Sequence, residues 1–176
     1  MKKITLLLSI MALSAVFSSS VLAQQTASAT SSASTTIVAP IAISKTTSMT
    51  FGSFATGTAG TLVMSPQAVR TSTGGVKLTA ATGSPTAAAF TVTGEGSYGY
   101  TVTLPSSLTL TTATTGTGTI KTMVVDTFTS SLASGIGALA SGTQNFTVGA
   151  TLNVGIDQAI GLYENTTGFT VTVNYN

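Results

Sequence analysis

Over much of this chain apolar and polar residues alternate one for one, and no other property restricts its fold so strongly. In the stretch from Phe169 to Asn176, Phe169, Val171, Val173 and Tyr175 share one parity, while Thr170, Thr172, Asn174 and Asn176 share the other. Period two is the repeat of a β-strand, whose successive side chains point to opposite faces, so this stretch predicts a half-buried strand. The sequence ends on it, and a terminal strand presents unpaired main-chain groups along any edge that lacks a neighbour. The expected neighbour is a second copy of the same protein.

The same pattern recurs upstream. Ile37, Ala39, Ile41 and Ile43 alternate in a first strand; Met49 and Phe51 follow, and Gly52 is expected to end that element with a bend or bulge. Leu62 with Met64, Phe90 with Val92, and Leu108 with Leu110 mark further strands, as do Tyr98, Tyr100, Val102 and Leu104 up to Pro105. Phe146, Val148, Ala150, Leu152 and Val154 form the longest series, whereas Ile120 to Val125 lacks clean alternation and suits a strand buried on both faces. About one residue in five is Thr, which fits the outer side of a pleated sheet. Roughly eight short strands separated by Gly, Ser and Thr turns emerge, and no segment carries a helical period; Ser131 to Gly142 is too rich in Gly and Ser. The chain therefore reads as all-β, a thin antiparallel sandwich, with a membrane barrel as the competing solution. The barrel fits less well because aromatic girdles and a charged lumen are lacking.

At the front, Lys2 and Lys3 precede an apolar run from Ile4 to about Phe17, and Val21-Leu22-Ala23 supplies small residues for cleavage, so residues 1–23 are expected to be a secretory signal peptide. That run is too short and wrongly flanked to span a membrane. Without Lys2 and Lys3 the six cations fall to four, Lys45, Arg70, Lys77 and Lys121, against four anions, Glu95, Asp126, Asp157 and Glu164. The processed chain is then neutral. Four scattered cations make no electrostatic case for nucleic acid or anionic lipid, and a sparsely charged surface favours self-association.

The side-chain inventory argues against catalysis. There is no His and no Cys, which removes the commonest general base, the thiolate nucleophile, most transition-metal sites and any disulfide. No cofactor, metal or catalytic residue is expected. Asp157 and Glu164 are the nearest pair of carboxylates in the sequence, and turn solvation accounts for them better than acid/base work. Gly94-Glu95-Gly96-Ser97-Tyr98-Gly99 matches a dinucleotide-binding string, but the strand expected next replaces the helix that such a site requires; a Gly-rich hairpin turn is the better reading. Asn145-Phe146-Thr147 and Asn165-Thr166-Thr167 fit the glycan acceptor pattern, the first discounted because it would lie on a strand face.

Residues 24–36 form a low-complexity run of Ala, Ser, Thr and Gln that by itself should stay disordered. Yet Ala27, Ala29, Ala33 and Ile37 share one parity, so the run could become a strand in a groove that accepted it, or remain a flexible leader. Residues 37–176 then make up the folded domain.

Three stretches carry a resemblance: Phe51-Gly52-Ser53-Phe54, Gly161-Leu162-Tyr163, and the alternating end with its penultimate Tyr175. They resemble the secreted bacterial DUF4402 proteins, which are in turn similar to spore coat protein U type and archaic chaperone–usher pilin subunits. The resemblance implies an immunoglobulin-like sandwich, short of one strand, with an extended N-terminal strand that fills the groove of the next subunit. It assigns Ala27, Ala29, Ala33, Thr35 and Ile37 to the donor strand and Phe169, Val171, Val173 and Tyr175 to the acceptor groove or terminal strand. Phe51, Gly52, Phe54, Gly161 and Tyr163 are the family motif. Because the donor alanines are small, the groove is expected to be shallow, or the donor to extend into Thr35, Ile37 and Val38. The expected product is a head-to-tail homopolymer at the cell surface, exported with a periplasmic chaperone and an outer-membrane usher; the alternative is a secreted monomeric adhesin or glycan-binding module.

Overall fold

A computed structural model describes residues 26–79, 83–113 and 117–176, so the expected signal peptide and residues Gln24 and Gln25 lie outside the described residues. The chain divides into two units, Met1–Thr36 and Ile37–Asn176. In the first, residues 26–36 are exposed and carry no strand or bridge.

The second unit is all-β. Its strands are β1 (Ala42–Thr47), β2 (Phe54–Met64), β3 (Arg70–Leu78), β4 (Ala88–Thr93), β5 (Gly99–Thr103), β6 (Ser107–Thr111), β7 (Thr122–Ser130), β8 (Ile136–Ala138), β9 (Thr143–Val154) and β10 (Thr172–Tyr175). Every pairing between them is antiparallel. A large sheet runs β1-β4-β9-β2-β3, with β7 also on β9 and β6 on β7; a small sheet runs β10-β5-β8. Both sheets end at open edges and enclose a filled core, so the architecture is a sandwich rather than a closed barrel. Among the described residues no helix is long and apolar enough to cross a membrane.

Strand β9 is the axis of the molecule. Its first half pairs with β4, from Thr143↔Thr93 to Val148↔Ala88, and its second half pairs along the same edge with β2, from Ala150↔Met64 to Val154↔Gly60. The opposite edge is taken by β7. Gly149 sits at the changeover, where a Cβ would run into the main chain of Met64 and Ser65. A glycine is therefore what allows one strand to be shared by two partners in succession.

The core follows this register. Leu108, Val125, Leu152 and Leu62 stand in one row across β6, β7, β9 and β2, and join a cluster with Met64, Val76, Met123 and Val154. A second cluster lies between the sheets: Phe90, Val92, Phe146 and Val148 of the large sheet meet Tyr100, Leu139, Val171 and Val173 of the small-sheet side. Phe90 stacks on Phe146 at 5.4 Å, and Phe169 closes on Phe90 at 6.3 Å and on Phe128 at 4.9 Å. Phe169 thus ties the chain entering β10 to the large sheet through aromatic contacts.

Several sequence expectations need correction. The first strand does not begin at Ile37: Pro40 lacks an N–H to donate to a ladder, pairing starts at Ala42, and Ile37 is 93% exposed. Strand β7 is buried on one face only, with Met123 and Val125 inward and Val124 exposed. The 94–99 loop is not a hairpin, because β4 and β5 belong to different sheets; it arches from one layer to the other. A strand follows it, as expected, so no helix N-terminus is present for a pyrophosphate. Gly52 has φ +69°, the bend expected there.

A candidate strand-acceptor edge

The terminal strand is tied to the molecule along one side only. Thr172, Val173, Asn174 and Tyr175 pair with Thr103, Val102, Thr101 and Tyr100 of β5, and among the described residues no strand lies on the other side. The Asn176 N–H donates to Gly99 O at 3.1 Å, which fixes the phase of the ladder. Hydrogen-bonded pairs then fall at Asn176, Asn174 and Thr172, so the main-chain N–H and C=O of Val173 and Tyr175 face the open edge. Within a single chain the terminal strand therefore has β5 as its neighbour along one edge.

Their side chains point the other way, into the core. Val171 and Val173 are each 8% exposed, and Phe169 and Tyr175 are half-buried against the same cluster. Across the seam lies β1, the open edge of the large sheet; its Ile43, and Ile41 just ahead of it, pack against that cluster. Two sheet edges thus flank one end of the core, and among the described residues no strand pairs with both. The open edge of β10 thus offers main-chain donors and acceptors beside buried Val171 and Val173.

Tyr175 locks the far end of the seam. Its hydroxyl donates to Ala39 O at 3.0 Å and accepts the Glu95 N–H at 2.6 Å, while its ring meets Tyr98 at 5.6 Å. The Glu95 carboxylate in turn accepts the Ala39 N–H at 3.0 Å. A Cβ on Gly94 would collide with the Tyr175 hydroxyl, so the glycine-rich loop is shaped to admit that ring. The strand's last aromatic residue therefore pins both the arch between the sheets and the chain entering β1. Sequence reasoning missed this clamp, since Glu95 and Ala39 carry no pattern linking them to residue 175.

Beneath the seam Tyr100 is fully buried, and burial raises its pKa from the ordinary value of 10.0. Its hydroxyl donates to Gln144 Oε1 at 2.8 Å, an oxygen that also accepts the Ala138 N–H at 3.0 Å. This polar pair joins β5, β8 and β9 and leaves no buried side-chain polar atom unpaired among the described residues.

The other residues singled out in the sequence lie elsewhere. Ala27, Ala29, Ala33 and Thr35 are exposed in the leading unit, outside any strand. Phe51 is buried and Phe54 packs beside it, while Arg70 Nη1 donates to the carbonyls of Phe51 and Ser53, both at 3.0 Å. Tyr163 directs its hydroxyl toward Ala159 O at 2.7 Å and Ile120 O at 2.9 Å and accepts from Gln158 Nε2 at 3.0 Å; Gly161 is exposed beside it. These motif residues brace loops against the core. Asp157 and Glu164 are not brought together as a site: Asp157 accepts from Thr119, and Glu164 bridges to Thr111, each lining a different surface hollow. Asn145 lies on β9, bonded to the Thr91 hydroxyl, and Asn165 holds the turn before the last strand.

A family model described as Domain of unknown function (DUF4402) matches residues 41–175. The chain belongs to this family. No curated protein and no solved structure matches it. The DUF4402 match opens at Ile41 and closes at Tyr175, taking in both walls of the seam. The stretch from Ala27 to Ile37 falls before it.

Proposed function

We propose that this DUF4402 protein is a secreted structural subunit of an extracellular bacterial filament, in which the leading segment of one copy adds as a strand to β10 of the next. The observation that carries the reading is the unpaired edge of β10 above a nearly complete apolar seam, with β1 open on the facing side. A strand laid there satisfies the main-chain groups of Val173 and Tyr175, each bond contributing about 0.5–1.5 kcal/mol net. Because Val171 and Val173 already cover the floor, the occupant needs no bulky plugs. Small residues at alternate positions, such as Ala27, Ala29 and Ala33, suit such a seat, and the polar parity of Thr26, Ser28 and Thr30 would face water.

Two further features support this reading. The leading residues 26–36 are exposed and make no strand, so they are free to serve another copy. The surface offers little else to work with: no group of three or more His, Cys, Asp or Glu able to hold a metal exists among the described residues. An extension given to a neighbour cannot fill the giver's own seam, so the association does not close and grows into a thread. Before assembly the open edge would need shielding, the part expected of a periplasmic chaperone, with an usher at the outer membrane.

The test is removal of residues 24–36 from the processed chain, followed by negative-stain microscopy of both forms. Threads from the full chain and compact particles from the shortened one are expected. Compact particles from both, at high concentration and after prolonged incubation, would overturn the filament in favour of a monomeric surface-binding module.

A further inference from the structure

The loop that follows β9 exposes a group of aliphatic side chains. Ile160 and Leu162 are each 74% exposed, Ile156 is exposed on the same loop, and Ile120 joins them through the Ala159 N–H to Ile120 O bond at 2.9 Å. The loop is not loose. Gln158 is buried, its Nε2 donating to Ile120 O at 3.0 Å and Thr122 O at 2.9 Å, and the Tyr163 hydroxyl holds the other side. A braced loop that displays isoleucine and leucine to water is a surface built for contact.

Its position says what the contact is. The loop leaves the C-terminal end of β9, whereas the Tyr175–Glu95–Ala39 clamp sits at the N-terminal end, where Gly142 accepts the Gly94 N–H and donates to Gly96 O. Twelve residues of strand separate the two poles, about 40 Å. The clamp pole carries its own exposed apolar residues, Tyr98 and Ile37, and the leading segment departs from Ile37. Extended, residues 24–36 reach about 43 Å, one sandwich length.

β10 runs toward the clamp pole. If the donated segment runs parallel to it, the donor's clamp pole meets the acceptor's clamp pole, from which the acceptor's own extension must leave. If it runs antiparallel, the donor's body comes to rest at the opposite pole, against the loop of Ile156, Ile160 and Leu162. Only the second arrangement repeats indefinitely. We infer that this loop is the seat for the Tyr98 and Ile37 pole of the next copy, a contact in addition to the strand itself. The inference rests on the filament reading above. It joins two different apolar patches on opposite ends of one molecule, the arrangement that propagates rather than closing.

The cysteine-free sequence makes the test clean. Processed full-length chains carrying Tyr98→Cys and Leu162→Cys are mixed, assembled and treated with a short bismaleimide. A covalent dimer containing one of each is expected, with a ladder of higher species when both substitutions share one chain, and little product from either single variant alone. Threads that form without the mixed product would refute the seat while leaving the filament intact. Product from Leu162→Cys alone would refute the polarity. Failure of the unsubstituted chain to form threads would remove the filament reading and the seat with it. As a second readout, Ile160→Ser with Leu162→Ser in the full chain should keep the parent's near-ultraviolet circular dichroism but shorten threads severalfold; threads of parent length would contradict the inference.

Discussion

Strands β9 and β10 carry the same written pattern, apolar and polar in strict turn, yet they live differently in the fold. β9 has a partner on each edge, and its inward residues from Phe146 to Val154 are buried. β10 has one partner, and its inward Val173 is nearly as well buried. Alternation therefore reports which face a strand hides, and says nothing about how many of its edges are paired. Side chains set the first property; main-chain hydrogen bonds set the second, and these are the same for every residue but proline.

The largest effects should come from the doubly paired strand. Leu152→Ala, in the middle of a row spanning four strands, should lower unfolding free energy by about 2–5 kcal/mol in urea titrations, by the same amount in monomeric and assembled material. Gly149→Val should cost about 1–3 kcal/mol or more, since a side chain there strikes the Met64 and Ser65 main chain as β4 gives way to β2. A neutral result at either position would mean that β9 is not the axis of the domain.

In β10 the expected losses are smaller and depend on assembly. Val173→Ala removes two methyl groups, about 1.6 kcal/mol at roughly 0.8 kcal/mol each, from the isolated domain. The same change should weaken threads further, because it lowers the floor on which the added strand rests. Tyr175→Phe keeps the ring but leaves the Glu95 N–H without its acceptor, a cost of about 1 kcal/mol, and should speed amide exchange in the 94–98 loop.

The smallest effect is a pH dependence. Burial holds the Tyr100 pKa above its ordinary value of 10.0, so the folded state keeps a proton that the unfolded state releases. Stability should be level with respect to this group below about pH 10 and fall as pH rises through the folded pKa. Tyr100→Phe should remove that alkaline decline while costing the bond to Gln144; an unchanged decline would assign it to another group.

Much of the fold was legible because burial here is one-sided and periodic. The parity of Phe90 and Val92, of Leu62 and Met64, and of Phe146 through Val154 holds residue for residue. Strand β3 escaped notice because Arg-Thr-Ser-Thr-Gly-Gly-Val-Lys-Leu buries only Val76; it is an edge held by its ladder to β2 rather than by a packed face. β7 was misread because Ile120 and Val124 are apolar yet exposed, and a sequence does not distinguish a second buried face from an apolar outer one. The two walls of the seam, β1 and β10, are far apart in the chain, and nothing local announces that they face each other. The Tyr175 hydroxyl reaches across that same gap, from the end of β10 to Ala39 ahead of β1 and Glu95 after β4.

Amide hydrogen exchange at Val173 and Tyr175 tests the central claim most directly, because their N–H groups face the open edge of β10 while those of Thr172 and Asn174 face β5. In the chain lacking residues 24–36 the first pair should exchange fast and the second slowly; in assembled threads all four should be slow. Equal, fast exchange of Val173 and Tyr175 in the threads, or protection of both in the shortened monomer, would contradict it.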